Sequence, residues 1–332
     1  MRRLAACLGL AAALALAPHP AAAETIKLAT LAPAGSPWHD ALLDMGEAWK
    51  DLSGGRVTLK IYAGGVAGDE SDMVRKMRIG QLQAATLSAG GLPDIAPEFR
   101  ALQLPMMFRS YEELDYVRDR IAPRLERILE ERGFKVLIWG DAGWLYFFSK
   151  QPVVRPEDLM PQRLFAWFGN TAFVEAWKDA GFKPISLAAT DIHTGLQSGL
   201  VEAVAVPALI ALSHQWFAQA NHMADLKWVP LVGAIVVTNK SWQQLPEDLR
   251  PKLLDAAAEA GRRMRREVRA FSDEAVTVMQ EYGLQVHHVP PEIVTEWEER
   301  ARVAYAGLIG KVVPADIFAE VEHLRDEYRH SQ

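Results

Sequence analysis

The sequence predicts an α/β protein folded in two lobes, and three features predict it. Strand-like and helix-like segments alternate over the first hundred residues, the pattern of a sheet covered by helices. The alternation restarts near Gly143 as a second unit. Residues 246–282 then carry helical periodicity with no internal proline beyond Pro246 and Pro251 at the start. As one helix this stretch would be about 55 Å long at ~1.5 Å per residue, longer than one small lobe, and would run along both.

The elements follow in order. Residues 26–30 form a short apolar strand, broken by the two prolines and the glycine of 33–37. Ser36 is placed to cap a helix with Pro37 in its first turn, and that helix stops at Gly54-Gly55. Residues 56–62 alternate as a half-buried strand. Residues 69–79 read as a helix ended by Gly80. Residues 83–87 read as a buried strand opening into Ser88-Ala89-Gly90-Gly91. Ser110 and Glu113 have capping-box spacing at the head of a long amphipathic helix over 110–132, and a strand follows over 134–140. In the second unit, strands are expected over 144–148, 164–167 and 201–206, with helices near 171–180 and 191–198. Residues 234–238 form an apolar strand expected to return to the first lobe. Residues 246–282 fit one helix, or two broken at Gly261. Two final helices cover about 291–309 and 314–328.

Arg2 and Arg3, an apolar run over 4–17 and Ala21-Ala22-Ala23 have the order of a cleavable signal peptide, expected over residues 1–23. The run is too short for a comfortable membrane span. Cys7 ends a lipobox-like Leu-Ala-Ala-Cys, but no apolar segment precedes it, so lipidation is not expected. Cleavage removes the one cysteine, and with it any thiol, disulfide or cysteine metal ligand. Lys+Arg falls from 36 to 34 against 42 acids, a net charge of about −8 that disfavours nucleic acid as a partner.

The residues offer no catalytic constellation. A zinc helix, a phosphate loop and a nucleophile elbow are all missing, so no catalytic residue, metal or cofactor is expected. Gly64-Gly65 and Gly90-Gly91 lack dinucleotide-binding spacing and read as turns. His287 and His288 are adjacent, so on a strand they point to opposite faces; His214 and His222 are too scattered to name a site. Arg262, Arg263, Arg265, Arg266 and Arg269 read as a solvated helix face, with a docking face as the alternative. Aromatic residues are concentrated: Trp139, Trp144, Tyr146, Phe147, Phe148, Phe165, Trp167 and Phe168 fall within thirty residues. At least three of them are expected to line a cleft between the lobes.

Several phrases, in order, carry a family resemblance. They are Lys27-Leu28-Ala29-Thr30 with Ser36-Pro37-Trp38-His39, Gly54-Gly55-Arg56-Val57, the Tyr62 to Gly68 stretch, and Leu104-Pro105-Met106-Met107-Phe108. Pro156-Glu157-Asp158-Leu159, residues 196–202 (LQSGLVE), and Asn239-Lys240-Ser241-Trp242 with Leu245-Pro246 complete the set. Through them the mature chain resembles the DctP-type solute-binding proteins of TRAP transporters. The resemblance implies a two-lobed periplasmic binding protein fold with crossing strands and a long helix spanning both lobes. It implies a lobe of 24–142 plus 232–270 and another of 143–231 plus 271–332. It also implies a periplasmic location, a small-molecule ligand held in a closing cleft, no catalysis, and delivery to a small and a large integral membrane subunit.

The departures from the family pattern shape the expected site. Positions where the family carries an arginine for a ligand carboxylate fall on Phe165 and Leu145, and a family polar pair falls on Ala205 and Val206. A carboxylate buried without a partner costs several kcal/mol, whereas burying an apolar side chain gains about 2 kcal/mol. The cleft is therefore expected to reject small dicarboxylates and accept a more apolar or aromatic ligand. The expected lining is Thr30, Ser88, Trp144, Leu145, Phe147, Arg163, Phe165, Trp167, Val206 and Trp228. Arg163 shares a strand face with Phe165 and is the candidate for holding an acid group at the rim, with Lys150 as a weaker one. Alternatives are an organic monoacid binder using Arg163, a secreted enzyme on a binding-protein scaffold, and a partner protein that has lost ligand binding.

Overall fold

The computed structural model describes residues 23–167 and 171–332. The expected signal segment up to residue 22, Cys7 within it, and Phe168 lie outside the described residues.

The first lobe begins with β1 (Glu24–Ala29), α1 (Pro37–Leu52), β2 (Val57–Tyr62), α2 (Glu70–Arg78), β3 (Ala84–Leu87), α3 (Leu92–Ile95) and α4 (Tyr111–Glu131). A 3-10 segment, Pro97–Gln103, lies between α3 and α4. Strand β4 (Phe134–Ser149) carries the chain into the second lobe, built from α5 (Pro156–Leu159), β5 (Arg163–Trp167), α6 (Thr171–Asp179), β6 (Lys183–Leu187), α7 (Ile192–Ser198), β7 (Ala203–Pro207), α8 (Ala208–Ser213) and β8 (His222–Asp225). Strand β9 (Val229–Thr238) brings it back. Then come α9 (Asn239–Gln244), α10 (Arg250–Glu281), β10 (Gln285–His288), α11 (Pro291–Leu308) and α12 (Ala315–His330). The strands form one ladder in the order β2-β1-β3-β9-β4-β7-β5-β6, with β8 on β4 and β10 on β8.

The caps read from sequence act as expected. Ser36 Oγ accepts from His39 N–H and Pro37 starts α1. Ser110 Oγ accepts from Glu113 N–H at 3.2 Å, but the Glu113 carboxylate reaches Arg109 N–H rather than the cap residue's own. The two strands expected over 134–140 and 144–148 are one: β4 pairs with β9 antiparallel along most of its length, with irregularities between Val136/Ile138 and Asp141/Trp144. Gly143, at φ +101°, supplies a backbone turn that side chains disfavour, so the strand bends between lobes instead of ending.

Helix α10 is a single helix of 32 residues, packed on α1, on β4 and on α8. Gly261 does not break it. A methyl group there would stand 2.5 Å from Ile138 Cγ2, so the glycine is the point where helix and crossing strand touch. The basic run on α10 is not one solvated face. Arg262 and Arg263 pair at the surface with Glu259 and Asp44, but Arg265 donates to Trp139 O and Arg269 turns to β4. Arg269 bonds Asp141 at 2.6 Å and Asp115 at 2.7 and 2.8 Å, with Tyr111 stacked on it at 4.1 Å. Burial opposes that cation, yet the two carboxylates raise its pKa. Helix α11 packs on α6 and α5, whereas α12, expected with the second lobe, lies against α4. Arg124 of α4 pairs there with Asp316 and Glu320 of α12.

Candidate ligand-binding site

The ends of β1, β3, β5 and β7, the middle of β4 and the start of β9 surround a cavity of about 310 Å³ at the junction of the lobes. That volume is at the lower edge of small-ligand pockets, which run roughly 300–1,000 Å³. A smaller annex of about 100 Å³ opens beside it, and Leu145, Trp167, Ala205 and Leu231 belong to the walls of both.

Strand chemistry explains the walls. Along β4, alternate residues face opposite sides, so Leu145 faces the cavity and Trp144 does not. Along β7, Ala205 and Val206 reach the wall just before Pro207 ends the strand. On β5, Phe165 and Trp167 share one face; they meet edge to face at 5.5 Å and line the annex. Trp228 and Trp177 continue that wall. Behind them Phe147 and Trp297 stack at 5.2 Å, so the aromatic wall is backed by a packed second row.

The polar end of the main cavity comes from loops after first-lobe strands. Thr30 follows β1; its N–H bonds Tyr62 O at 3.0 Å and its hydroxyl accepts from Ala32 N–H at 3.1 Å. Ser88 follows β3 and is held by Glu70, whose two carboxyl oxygens accept from Ser88 N–H and Ser88 Oγ–H, each at 2.7 Å. Glu70 also lines the cavity and is 4% exposed. Burial pushes its carboxyl up to about 7, and the Asp69 charge adds to the rise, while the Ser88 hydrogen bonds oppose it. His214 stacks on Trp216 at 4.7 Å on the second-lobe rim; burial and the nearby His193 push its pKa down.

The two lobes touch across the mouth. Asp69 caps α2 by accepting from Glu70 N–H at 2.8 Å, and its second oxygen accepts from Ala189 N–H of the second lobe at 3.0 Å. A methyl group on Gly90 would stand 2.8 Å from Trp167 Cε3, and one on Gly65 would stand 3.1 Å from Thr190 Cγ2. The lobes are thus closed on the cavity.

Seven of the ten residues expected to line the cleft do so: Thr30, Ser88, Leu145, Phe165, Trp167, Val206 and Trp228. Three do not. Trp144, 2% exposed, lies on the other face of β4 and packs on Tyr111 at 5.7 Å. Phe147 has the right face but sits one layer deeper, fully buried among Trp177, Trp228 and Trp297. Arg163 turns away to the surface, where Nε donates to Gly199 O at 3.0 Å and Nη2 pairs with Glu202 at 3.0 Å. Lys150 is likewise spent on Leu196 O. Of the seven described aromatics in the concentrated run, two face the cavity, Phe165 and Trp167, not three; the others complete cores. Sequence reasoning missed Glu70, read only as the start of a helix, and Arg100, in the unassigned stretch before α4. Arg100 and Gln103 line the annex, with the Arg100 guanidinium 5.1 Å from the Phe173 ring.

His287 meets His222 across β8 and β10 at 2.9 Å while His288 points outward, as adjacent strand residues should. Among the described residues no group of three or more His, Cys, Asp or Glu is arranged to hold a metal ion. No helix among them is long and apolar enough to cross a membrane.

Comparison with known proteins places this geometry. Residues 28–311 match the bacterial extracellular solute-binding protein family 7, DctP. A C4-dicarboxylate-binding periplasmic protein, DctP, of Rhodobacter capsulatus is 25% identical over 306 residues, 90% of this chain and 91% of that protein. A solute-binding protein of Roseobacter denitrificans is 26% identical over 238 residues, 71% of this chain and 73% of that one. The crystal structure of a TRAP periplasmic solute-binding protein from Sulfurospirillum deleyianum with bound succinate superposes with a TM-score of 0.84. It is 21% identical, and the match covers 91% of this chain and 99% of that one.

Proposed function

This chain belongs to the bacterial extracellular solute-binding proteins of family 7, a family of binding proteins rather than enzymes, and from that premise we propose that it is the periplasmic capture subunit of a TRAP-type transporter. It is exported through the signal segment of residues 1–23, which is then removed. It closes on a small organic ligand with an apolar or aromatic body and delivers that ligand to a small and a large integral membrane subunit. The lobes we propose are 24–142 with 232–270, and 143–231 with 271–308; α12 docks back on the first.

One observation carries the ligand class. The cavity positions 145, 165, 205 and 206 are Leu, Phe, Ala and Val, so the wall they form offers no charge-assisted hydrogen bond. A doubly charged ligand would lose hydration there that these four side chains do not replace, whereas aromatic or aliphatic surface gains about 25 cal/mol per Å² buried. Relatives bind strongly hydrated acids: the Sulfurospirillum protein holds succinate. The substituted walls separate this chain from that specificity. Mass spectrometry of the ligand that co-purifies with the native protein, followed by calorimetry against succinate and a set of aromatic acids, tests the reading. An aromatic or aliphatic ligand is expected; succinate bound more tightly than every aromatic acid would refute it.

A further inference from the structure

We propose that the main cavity seats an organic cation, with the ammonium group on Glu70 and beside the indole of Trp167, so that the ligands of this cleft are arylalkyl- or alkylammonium compounds. The proposal rests on the reading of the cavity as the ligand site and names the charge that selects within it.

The charges of the wall point one way. Among the described residues that line the main cavity, the ionisable ones are Glu70, His193 and His214, and none is lysine or arginine. Arg100 lines the annex only and already has a partner. The partners of the Glu70 carboxyl are neutral: Ser88, through its N–H and its hydroxyl at 2.7 Å each, and the Gly91 backbone. The nearby Asp69 adds negative potential instead of relieving it. Burial therefore holds Glu70 up at about 7, and a cation arriving in the cavity supplies the compensation that the wall lacks. Burial and His193 push His214 down, so at neutral pH it contributes no opposing positive charge. Aromatic surface stands beside the carboxyl, since Trp38, Trp167 and Trp216 line the same cavity. A methyl group on Gly90 would stand 2.8 Å from Trp167 Cε3 and 3.2 Å from Glu70 Oε2, so the bare glycine lets ring and carboxyl come together. An indole face attracts a cation within ~6 Å of its centre, most strongly where water is excluded. An acid head group gains neither contact and would face a second carboxyl.

Calorimetry with 2-phenylethylamine, which is protonated at neutral pH, with neutral 2-phenylethanol and with 3-phenylpropanoate tests the proposal. At pH 7.5 the amine should bind at least tenfold tighter than the alcohol and the acid, the ratio expected for one sheltered hydrogen bond to a charged group. Glu70→Gln should bring the amine down to the alcohol's affinity. At pH 6, where free Glu70 is mostly protonated, amine binding should release about one proton, read from heats in two buffers of different ionisation enthalpy. Glu70→Gln should release none. The other titratable groups at or beside the cavity are Asp69, His193 and His214, and release that persists in Glu70→Gln would belong to them and overturn Glu70 as the seat. Trp167→Ala should weaken amine and alcohol, the amine more. Circular dichroism confirms that each variant is folded. An amine that fails to bind, binds no tighter than the alcohol or the acid, or keeps its affinity in Glu70→Gln overturns the cation seat. Binding of any of the three that is indifferent to Trp167→Ala instead overturns the cavity as the ligand site.

Discussion

Replacing Asp69 by serine should weaken ligand binding without weakening the fold. The carboxylate has two tasks: one oxygen caps α2 and the other reaches Ala189 N–H across the mouth of the cavity. Serine caps a helix about as well as aspartate, so the first task survives. Its hydroxyl is too short for the second. A hydrogen bond to a charged acceptor is worth roughly 1.5–3 kcal/mol when sheltered. Asp69 is half-buried at the rim and regains water when the lobes part, so about 1 kcal/mol is the fair figure for the closed state. That lowers the closed-to-open ratio about fivefold and raises the ligand's Kd by up to the same factor, in full when the open form predominates without ligand. Asp69→Ala should show the same affinity loss together with about 1 kcal/mol of lost stability from the missing cap. Calorimetry with the co-purifying ligand, thermal denaturation and small-angle scattering of the ligand-free variants read these separately. Wild-type affinity and compactness in Asp69→Ser would refute the reasoning, because the contact would then contribute nothing to closure.

Two further outcomes are expected. Glu70 titrates near 7 in the folded chain and near 4.5 when unfolded, so between those values the folded state holds the proton longer. Stability must then fall as pH rises from about 4.5 to 7, by up to about 3 kcal/mol, and Glu70→Gln should remove that part of the slope in denaturant midpoints taken at pH 5 and pH 8. Gly261→Ala gains about 1 kcal/mol of helix propensity but drives a methyl group into Ile138, an overpacking cost of about 1–3 kcal/mol. The melting temperature should fall by a few degrees, and Gly261→Ala should cost less when measured in an Ile138→Val background; a single variant more stable than wild type would contradict the contact.

The fold was legible because its signals are local. Ser36 and Ser110 mark helix starts, and alternation marks β2. The unbroken pattern over 246–282 marks α10, whose single glycine could be told from a break only by seeing Ile138 beside it. The site was legible where position along a strand decides orientation, as for Leu145, Phe165, Trp167 and Val206. It failed where a neighbour distant in sequence decides. Trp144 and Leu145 are adjacent, and only the pairing of β4 with β7 and β9 tells which faces the cavity. Arg163 is claimed by Gly199 and Glu202, across a turn that periodicity does not show. Glu70 becomes a buried cavity residue because the Ser88 loop, eighteen residues on, folds over it.

Strand β9 occupies the middle of the ladder, between β3 and β4, although the chain makes it after most of the others. Until residues 229–238 leave the ribosome, β3 and β4 have no common neighbour, and the early strands face a gap where their central partner belongs. Native closure therefore waits on a contact more than a hundred residues away in sequence, which slows folding. For a chain exported as proposed above, this delay is useful: the order of its strands keeps the nascent polypeptide unfinished for longer.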